Sequence, residues 1–217
     1  MTYTVINNNS IENLIRAVEE ATSADKMITA VKALAAARHP AAIPTLIDVL
    51  RYNNPGAAVA AVDGLIELGE AAVQPIIDRL DSYNYGARAW AIRAFAGIGD
   101  VRGLDLLITA AKTDFALSVR RAAARGLGNL KWSGLPTEQI PAAQKQVFNT
   151  LKLVCQDPEW VVRYAAIVGL QGLAIAVIAN PPEWFTEILT QFEEMATTDT
   201  EIAVRARARL AKQEISK

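Results

Sequence analysis

A register of small residues recurs six times along this chain, and it restricts the possible folds more than any other feature. The copies align on Met27, Ala58, Arg88, Arg120, Arg163 and Arg205, at spacings of 31, 30, 32, 43 and 42 residues. Three residues on, every copy carries alanine: Ala30, Ala61, Ala91, Ala123, Ala166 and Ala208. Six on stand Ala33, Gly64, Ala94, Gly126, Gly169 and Ala211. Seven on stand Leu34, Leu65, Phe95, Leu127 and Leu170, a series broken by Lys212; ten on stand Ala37, Leu68, Ile98, Leu130 and Leu173. Offsets of 3, 6, 7 and 10 fall on one stripe of a helix with 3.6 residues per turn. The small positions let a neighbouring helix approach, and the large ones fill the space beside it.

A second apolar-periodic segment precedes each copy: Ile11–Ala21, Ala42–Tyr52, Ala72–Ser82, Gly103–Lys112, Ala142–Gln156 and Glu183–Thr197. Breaks at His39-Pro40, Asn54-Pro55-Gly56, Asn84-Tyr85-Gly86, Gly99-Asp100 and Asp157-Pro158 separate the segments. The two long spacings hold inserts at Lys131–Pro141 and Ala174–Pro182. No period of two is sustained, so strands are excluded. The expectation is an all-α chain, an α-solenoid of six antiparallel helix pairs forming a single domain over residues 1–217. Asp114, Asp157 and Asp199 each stand six residues before Arg120, Arg163 and Arg205, and Asp81 stands seven before Arg88. Each carboxylate is expected to pair with its own arginine across the turn. The stretches VRRAAARGL and VRYAAIVGL resemble the second helix of HEAT repeats, a likeness that implies second helices lining a concave surface.

Composition narrows the function. The chain has 22 basic and 23 acidic side chains, no basis for gripping a phosphate backbone, so no nucleic-acid partner is expected. One cysteine, Cys155, and one histidine, His39, leave little for a metal site or a nucleophilic triad. Cys155 reads as an inert small residue and His39 as a complement to a helix C-terminus. The most apolar run, Gly172–Ala179, is too short to span a bilayer, so no membrane insertion and a cytoplasmic location are expected.

The candidate site comes from the face opposite the buried stripe, at offsets 1, 5, 8 and 12. It holds Ala89, Arg93 and Ala96, then Arg121, Arg125, Gly128 and Trp132, then Tyr164, Val168 and Gln171. Trp90 breaks its own position's rule, where the other copies carry Thr29, Ala60, Ala122, Ala165 and Arg207. Tyr85 lies in the preceding turn. Alanines and Gly128 are expected to leave room there. The set Tyr85, Trp90, Arg93, Arg121, Arg125, Trp132 and Tyr164 suits a planar ligand bearing carboxylates: aromatic and guanidinium planes stack on it, and arginine forks hold its acids. An ordinary solvated face is the competing reading. Arg88, Arg120, Arg163 and Arg205 read as structural. The polar last segment, EIAVRARARLAKQEISK, reads as a cap. The more aliphatic Ile11–Ala37 and part of the concave face read as partner-covered.

The stretch SYNYGARAWAIRAFAGIGD, its lead-in VQPIIDRL and the six-pair plan resemble the E/F-type phycobilin lyases of cyanobacteria and red algae, in particular their shorter β subunits. The resemblance spans essentially the whole chain. It implies a heterodimer with a longer α subunit of the same repeat type. It further implies attachment of phycocyanobilin, as substrate and not as a retained cofactor, through a thioether to a cysteine of the phycocyanin α chain. The family's lyase-isomerases carry an adjacent His-Cys pair; this chain has none, which implies ligation without isomerisation. A bilin carries two propionates on a conjugated tetrapyrrole, which matches the aromatic and arginine set. The alternative is a non-catalytic HEAT-repeat protein that binds phycobilisome proteins during antenna assembly or disassembly.

Overall fold

The computed structural model describes residues 8–79 and 85–216. Among them are twelve α-helices and no strand. The helices fall into six pairs: α1 (Asn8–Glu19) with α2 (Ala24–Ala36), α3 (Ile43–Val49) with α4 (Pro55–Leu68), and α5 (Glu70–Arg79) with α6 (Tyr85–Ile98). Then follow α7 (Leu104–Thr113) with α8 (Leu117–Leu127), α9 (Ile140–Val154) with α10 (Trp160–Val177), and α11 (Phe185–Thr198) with α12 (Ile202–Ile215). The pairs group into two compact units, Met1–Ile98 and Gly99–Lys217. Within each unit the second helices pack side by side, α2 on α4 on α6 and α8 on α10 on α12.

Local chemistry sets the boundaries. The Ser23 hydroxyl accepts a hydrogen bond from the Lys26 amide and opens α2. Asn54 Oδ1 accepts from the Ala57 amide at 3.1 Å, with Pro55 as the first residue of α4, where its missing N–H costs nothing. After α6 the chain reverses at Gly99, whose φ of +71° only glycine adopts freely. Asp100 Oδ1 then accepts from the Arg102 amide at 2.9 Å and starts the next turn. His39 departs from expectation. Its Nδ1 accepts from the Ala41 amide at 3.2 Å, so it caps the turn that follows it and does not complement the helix that precedes it.

The small-residue register is the core. Ala61, Ala91, Ala123, Ala166 and Ala208 are buried, as are Leu34, Leu65, Phe95, Leu127 and Leu170 one turn further on. The exception at that second position, Lys212, is exposed and bonds Glu193. The second insert partly lengthens a helix: α10 runs on to Val177, well past the point where α8 ends. By length and composition α10 could cross a membrane, but more than half of it is buried against α8, α9 and α12 as the central helix of its unit.

The aspartate–arginine recurrence works differently from the expected pairing within each repeat. Arg120 Nε and Nη2 donate to both carboxylate oxygens of Asp157, at 2.7 and 3.1 Å, and Asp157 belongs to the next repeat. Arg163 does the same to Asp199, at 2.8 and 2.9 Å. The six-residue spacing instead serves the main chain: Arg120, Arg163 and Arg205 each donate through Nη1 to the carbonyl of their own repeat's aspartate. One oxygen of each carboxylate accepts an amide two residues on, at Ala116, Glu159 or Glu201. The carboxylates of Asp157 and Asp199 also take the arginine of the preceding repeat. Each shared aspartate therefore caps its own turn and ties two repeats together. Asp81 lies outside the described residues.

Candidate functional site

The candidate residues divide between the units. In the first, α6 carries Trp90 and Arg93 one turn apart. Trp90 is half-buried, Arg93 is exposed, and the guanidinium carbon stands 5.5 Å from the indole centroid. That is a cation–π contact within one helix, and it lays a guanidinium plane over an aromatic face. Tyr85 is the first residue of α6, and its side chain lies outside the described residues. Arg88, at the ladder position, is half-buried.

In the second unit, Arg121 and Arg125 are exposed one turn apart on α8, and neither makes an ion pair within the described structure. Tyr164 occupies the register of Arg121 on the neighbouring helix α10 and is 37% exposed. Three expectations fail here. Trp132 does not extend the face of α8: that helix ends at Leu127, and Trp132 sits in a separate short turn, Trp132–Gly134, so helical projection does not reach it. Gly128 does not open space for a ligand. A Cβ built on it would lie 2.4 Å from the Gly169 carbonyl oxygen, because the α10 backbone already fills the space. Gln171 is buried and engaged: its Nε2 donates to Glu214 and its Oε1 accepts from Arg207.

The remaining reactive side chains have structural roles. Cys155 is buried, and that burial pushes its thiol well above the usual range, so it supplies no thiolate. Among the described residues no three His, Cys, Asp or Glu side chains gather as a metal site.

A row missed by sequence reasoning stands three residues before the ladder arginines: Leu117, Trp160 and Ile202, the first residues of α8, α10 and α12. All are exposed, and so is Leu210 of α12. Their recurrence was legible, but their exposure was not. Ile11–Ala37, expected to be partner-covered, has no large apolar side chain among the strongly exposed ones.

Known proteins resemble this chain in sequence and fold. Residues 73–171 match the model for HEAT repeats, and residues 28–52 match that for the PBS lyase HEAT-like repeat. The chain is 55% identical over 206 residues to the phycocyanobilin lyase subunit beta of Pseudanabaena tenuis (strain PCC 7409), covering 94% of this chain and 73% of that protein. It is 65% identical over 164 residues to the phycocyanin alpha phycocyanobilin lyase CpcF of Synechocystis sp., covering 76% and 77%. A solved complex of CpcE and CpcF of phycocyanin lyase from Nostoc sp. PCC7120 contains a chain 53% identical, with a TM-score of 0.73 over 80% of this chain and 99% of that one.

Proposed function

This chain belongs to the family of phycocyanobilin lyase β subunits, and we propose from that membership how its residues serve the reaction. It is one subunit of a heterodimeric lyase, active with an α subunit, that attaches phycocyanobilin to a cysteine of the phycocyanin α chain. The bilin is a substrate in transit and not a retained cofactor. The reaction runs in the cytoplasm, where the acceptor thiol stays reduced.

Chemically, the acceptor thiol adds across the bilin's exocyclic ethylidene double bond. Sulfur bonds to carbon, the proton goes to the pigment, and nothing is oxidised or reduced. No nucleophile on the lyase is needed, which agrees with the buried, protonated Cys155. The lyase must hold a flexible tetrapyrrole in one pose beside the thiol, and such positioning supplies much of the acceleration. We assign this work to Trp90 and Arg93 of the first unit, with Tyr85 opening the same helix; Arg121, Arg125 and Tyr164 form a separate candidate set on α8 and α10 of the second unit. The aromatic planes stack on the pigment, and the guanidinium forks hold its propionates. Trp132, on its separate turn, is not part of this reading.

The observation that carries the assignment is the Trp90–Arg93 pair, a half-buried indole under an exposed arginine at a position other repeats fill with small or polar residues. The test is pigment transfer to phycocyanin α, with the α subunit present, for Trp90→Ala and Arg93→Ala. Each should slow transfer tenfold or more while changing stability by no more than about 1 kcal/mol. Normal transfer, or loss only in step with unfolding, would reduce the pair to scaffold.

A further inference from the structure

The first unit holds an acidic side chain that nothing in its fold claims. On the second helices of that unit, the row five residues past the repeat register reads Lys32 on α2, Asp63 on α4 and Arg93 on α6. All three are exposed. Asp63 stands in a row with two cations, yet among the described residues it makes no hydrogen bond or ion pair. The next acid along α4, Glu67, is held by Arg38 at 2.7 Å. In the second unit the same offset carries Arg125, Val168 and Leu210, so Asp63 is the single acid of the row.

The packing of α4 on α6 fixes what Asp63 faces. A Cβ on Gly97 would lie 2.3 Å from Ile66 Cδ1, so these two residues stand level across the seam. Second helices of stacked repeats run parallel. One turn back from that contact, Asp63 stands level with Arg93 and Ala94; two turns back, Val59 stands level with Trp90. Asp63 therefore borders the groove of the Trp90–Arg93 pair from its other bank. Neighbouring helix axes lie about 8–10 Å apart, so the carboxylate and the guanidinium bracket a space about one ring wide, with the indole beside it.

We propose that the Asp63 carboxylate accepts hydrogen bonds from the pyrrole N–H groups of the bilin and balances the charge of the protonated tetrapyrrole, an inference that rests on the assignment of Trp90 and Arg93 above. The shape of the ligand ring selects this partner. A pyrrole bears its N–H on one edge and its propionate on the opposite one. A ring stacked against Trp90 with its propionate on Arg93 turns its N–H edge toward the facing helix, where Asp63 is the acceptor at that level. A carboxylate has room for two such N–H groups at once. A negative charge beside the ring system also favours its protonated form. Protonation draws electron density out of the ethylidene double bond, so the sulfur of the acceptor adds to it more readily.

The test uses the heterodimer with the α subunit, free phycocyanobilin as probe, and Asp63→Asn, which keeps the side chain's shape but turns one acceptor oxygen into an N–H donor. Asp48→Asn, at an exposed acid of α3, is the control. Asp63→Asn should bind pigment at least tenfold more weakly, move the absorption band of the bound pigment to shorter wavelength and slow transfer to phycocyanin α tenfold or more. Its melting temperature and its affinity for the α subunit should match wild type, because Asp63 holds nothing in the fold. Asp63→Glu should recover part of the band position, and the control should behave as wild type throughout. An unchanged band with unchanged transfer would overturn the proposal. So would lost α-subunit affinity with an unchanged band, which assigns Asp63 to the contact between subunits. A wild-type heterodimer that transfers no pigment would instead sink the lyase reading, and normal transfer by Trp90→Ala and Arg93→Ala would sink the site beside which Asp63 stands.

Discussion

The second helices of the first unit meet through side chains, whereas those of the second unit meet through backbone and charge. In the first unit a Cβ on Gly64 would strike the Ala35 methyl at 2.6 Å, and one on Gly97 would strike the tip of Ile66 at 2.3 Å. The ion pair joining the turn after α2 to α4 there, Arg38–Glu67 at 2.7 Å, is exposed. In the second unit α8 and α10 touch main chain to main chain. A Cβ on Gly169 would lie 2.3 Å from the Ala124 carbonyl oxygen, and one on Gly172 would lie 2.2 Å from that of Gly128. Arg120–Asp157 and Arg163–Asp199 then pin α8, α10 and α12 in one register, with all four side chains no more than 13% exposed. A joint made by a flexible side-chain tip can yield; a joint made by peptide groups cannot. The second unit therefore holds Leu117, Trp160 and Ile202, which open its three second helices, in a fixed row.

Substitutions at the two kinds of joint probe that contrast. Gly169→Ala should be the most damaging, costing about 3 kcal/mol or more. At about 2–4 °C per kcal/mol for a chain of this length, calorimetry should register a clear drop in Tm; a drop of under a degree would mean that the backbone joint can relax. Asp199→Ala comes next, at about 2–4 kcal/mol, because it strands the Arg163 fork and removes a cap. Hydrogen bonds from Arg163 hold the Asp199 carboxyl below its ordinary value of 3.8. Its stabilisation is therefore present above that value and is lost as pH falls through the lower, folded-state value. Denaturant titrations should show a constant gap between wild type and Asp199→Ala from about pH 5 to 8, closing below about pH 4. A gap that persisted in acid would show that the cap, and not the carboxylate charge, carries the effect.

The first-unit counterparts should be mild. Gly97→Ala trades a gain of up to about 1 kcal/mol in helix propensity against a shift of the Ile66 tip, and its net effect should stay within about 1 kcal/mol. A loss comparable to that of Gly169→Ala would erase the distinction between the units. Arg38→Ala should be the smallest, within about 0.5 kcal/mol, since its ion pair is solvent-screened; thermal melts in low and high salt should agree.

Most of the helix plan was legible because it rests on local rules. The breaks at Asn54-Pro55-Gly56 and Gly99-Asp100 and the alanine register each depend on residues within a turn or two of one another. The candidate site was legible only in part. Trp90 and Arg93 share one helix, so their contact follows from periodicity, and the same holds for Arg121 and Arg125. Trp132 was misplaced because projection ran past the end of α8. Gly128 was misread because a missing side chain looks alike whether a ligand or a neighbouring backbone fills the gap.

By itself the sequence determined which segments are helices and which stripe each one buries. These properties follow from the 3.6-residue period and from capping chemistry that acts within one turn. Tertiary structure alone decided which aspartates Arg120 and Arg163 hold, since the partners are 36 or 37 residues apart. It also decided that Gly128 faces the Gly169 backbone and that Leu117, Trp160 and Ile202 form one exposed row. Such relations depend on how neighbouring helices slide into register, and that is set by close packing between repeats and not by any pattern within one.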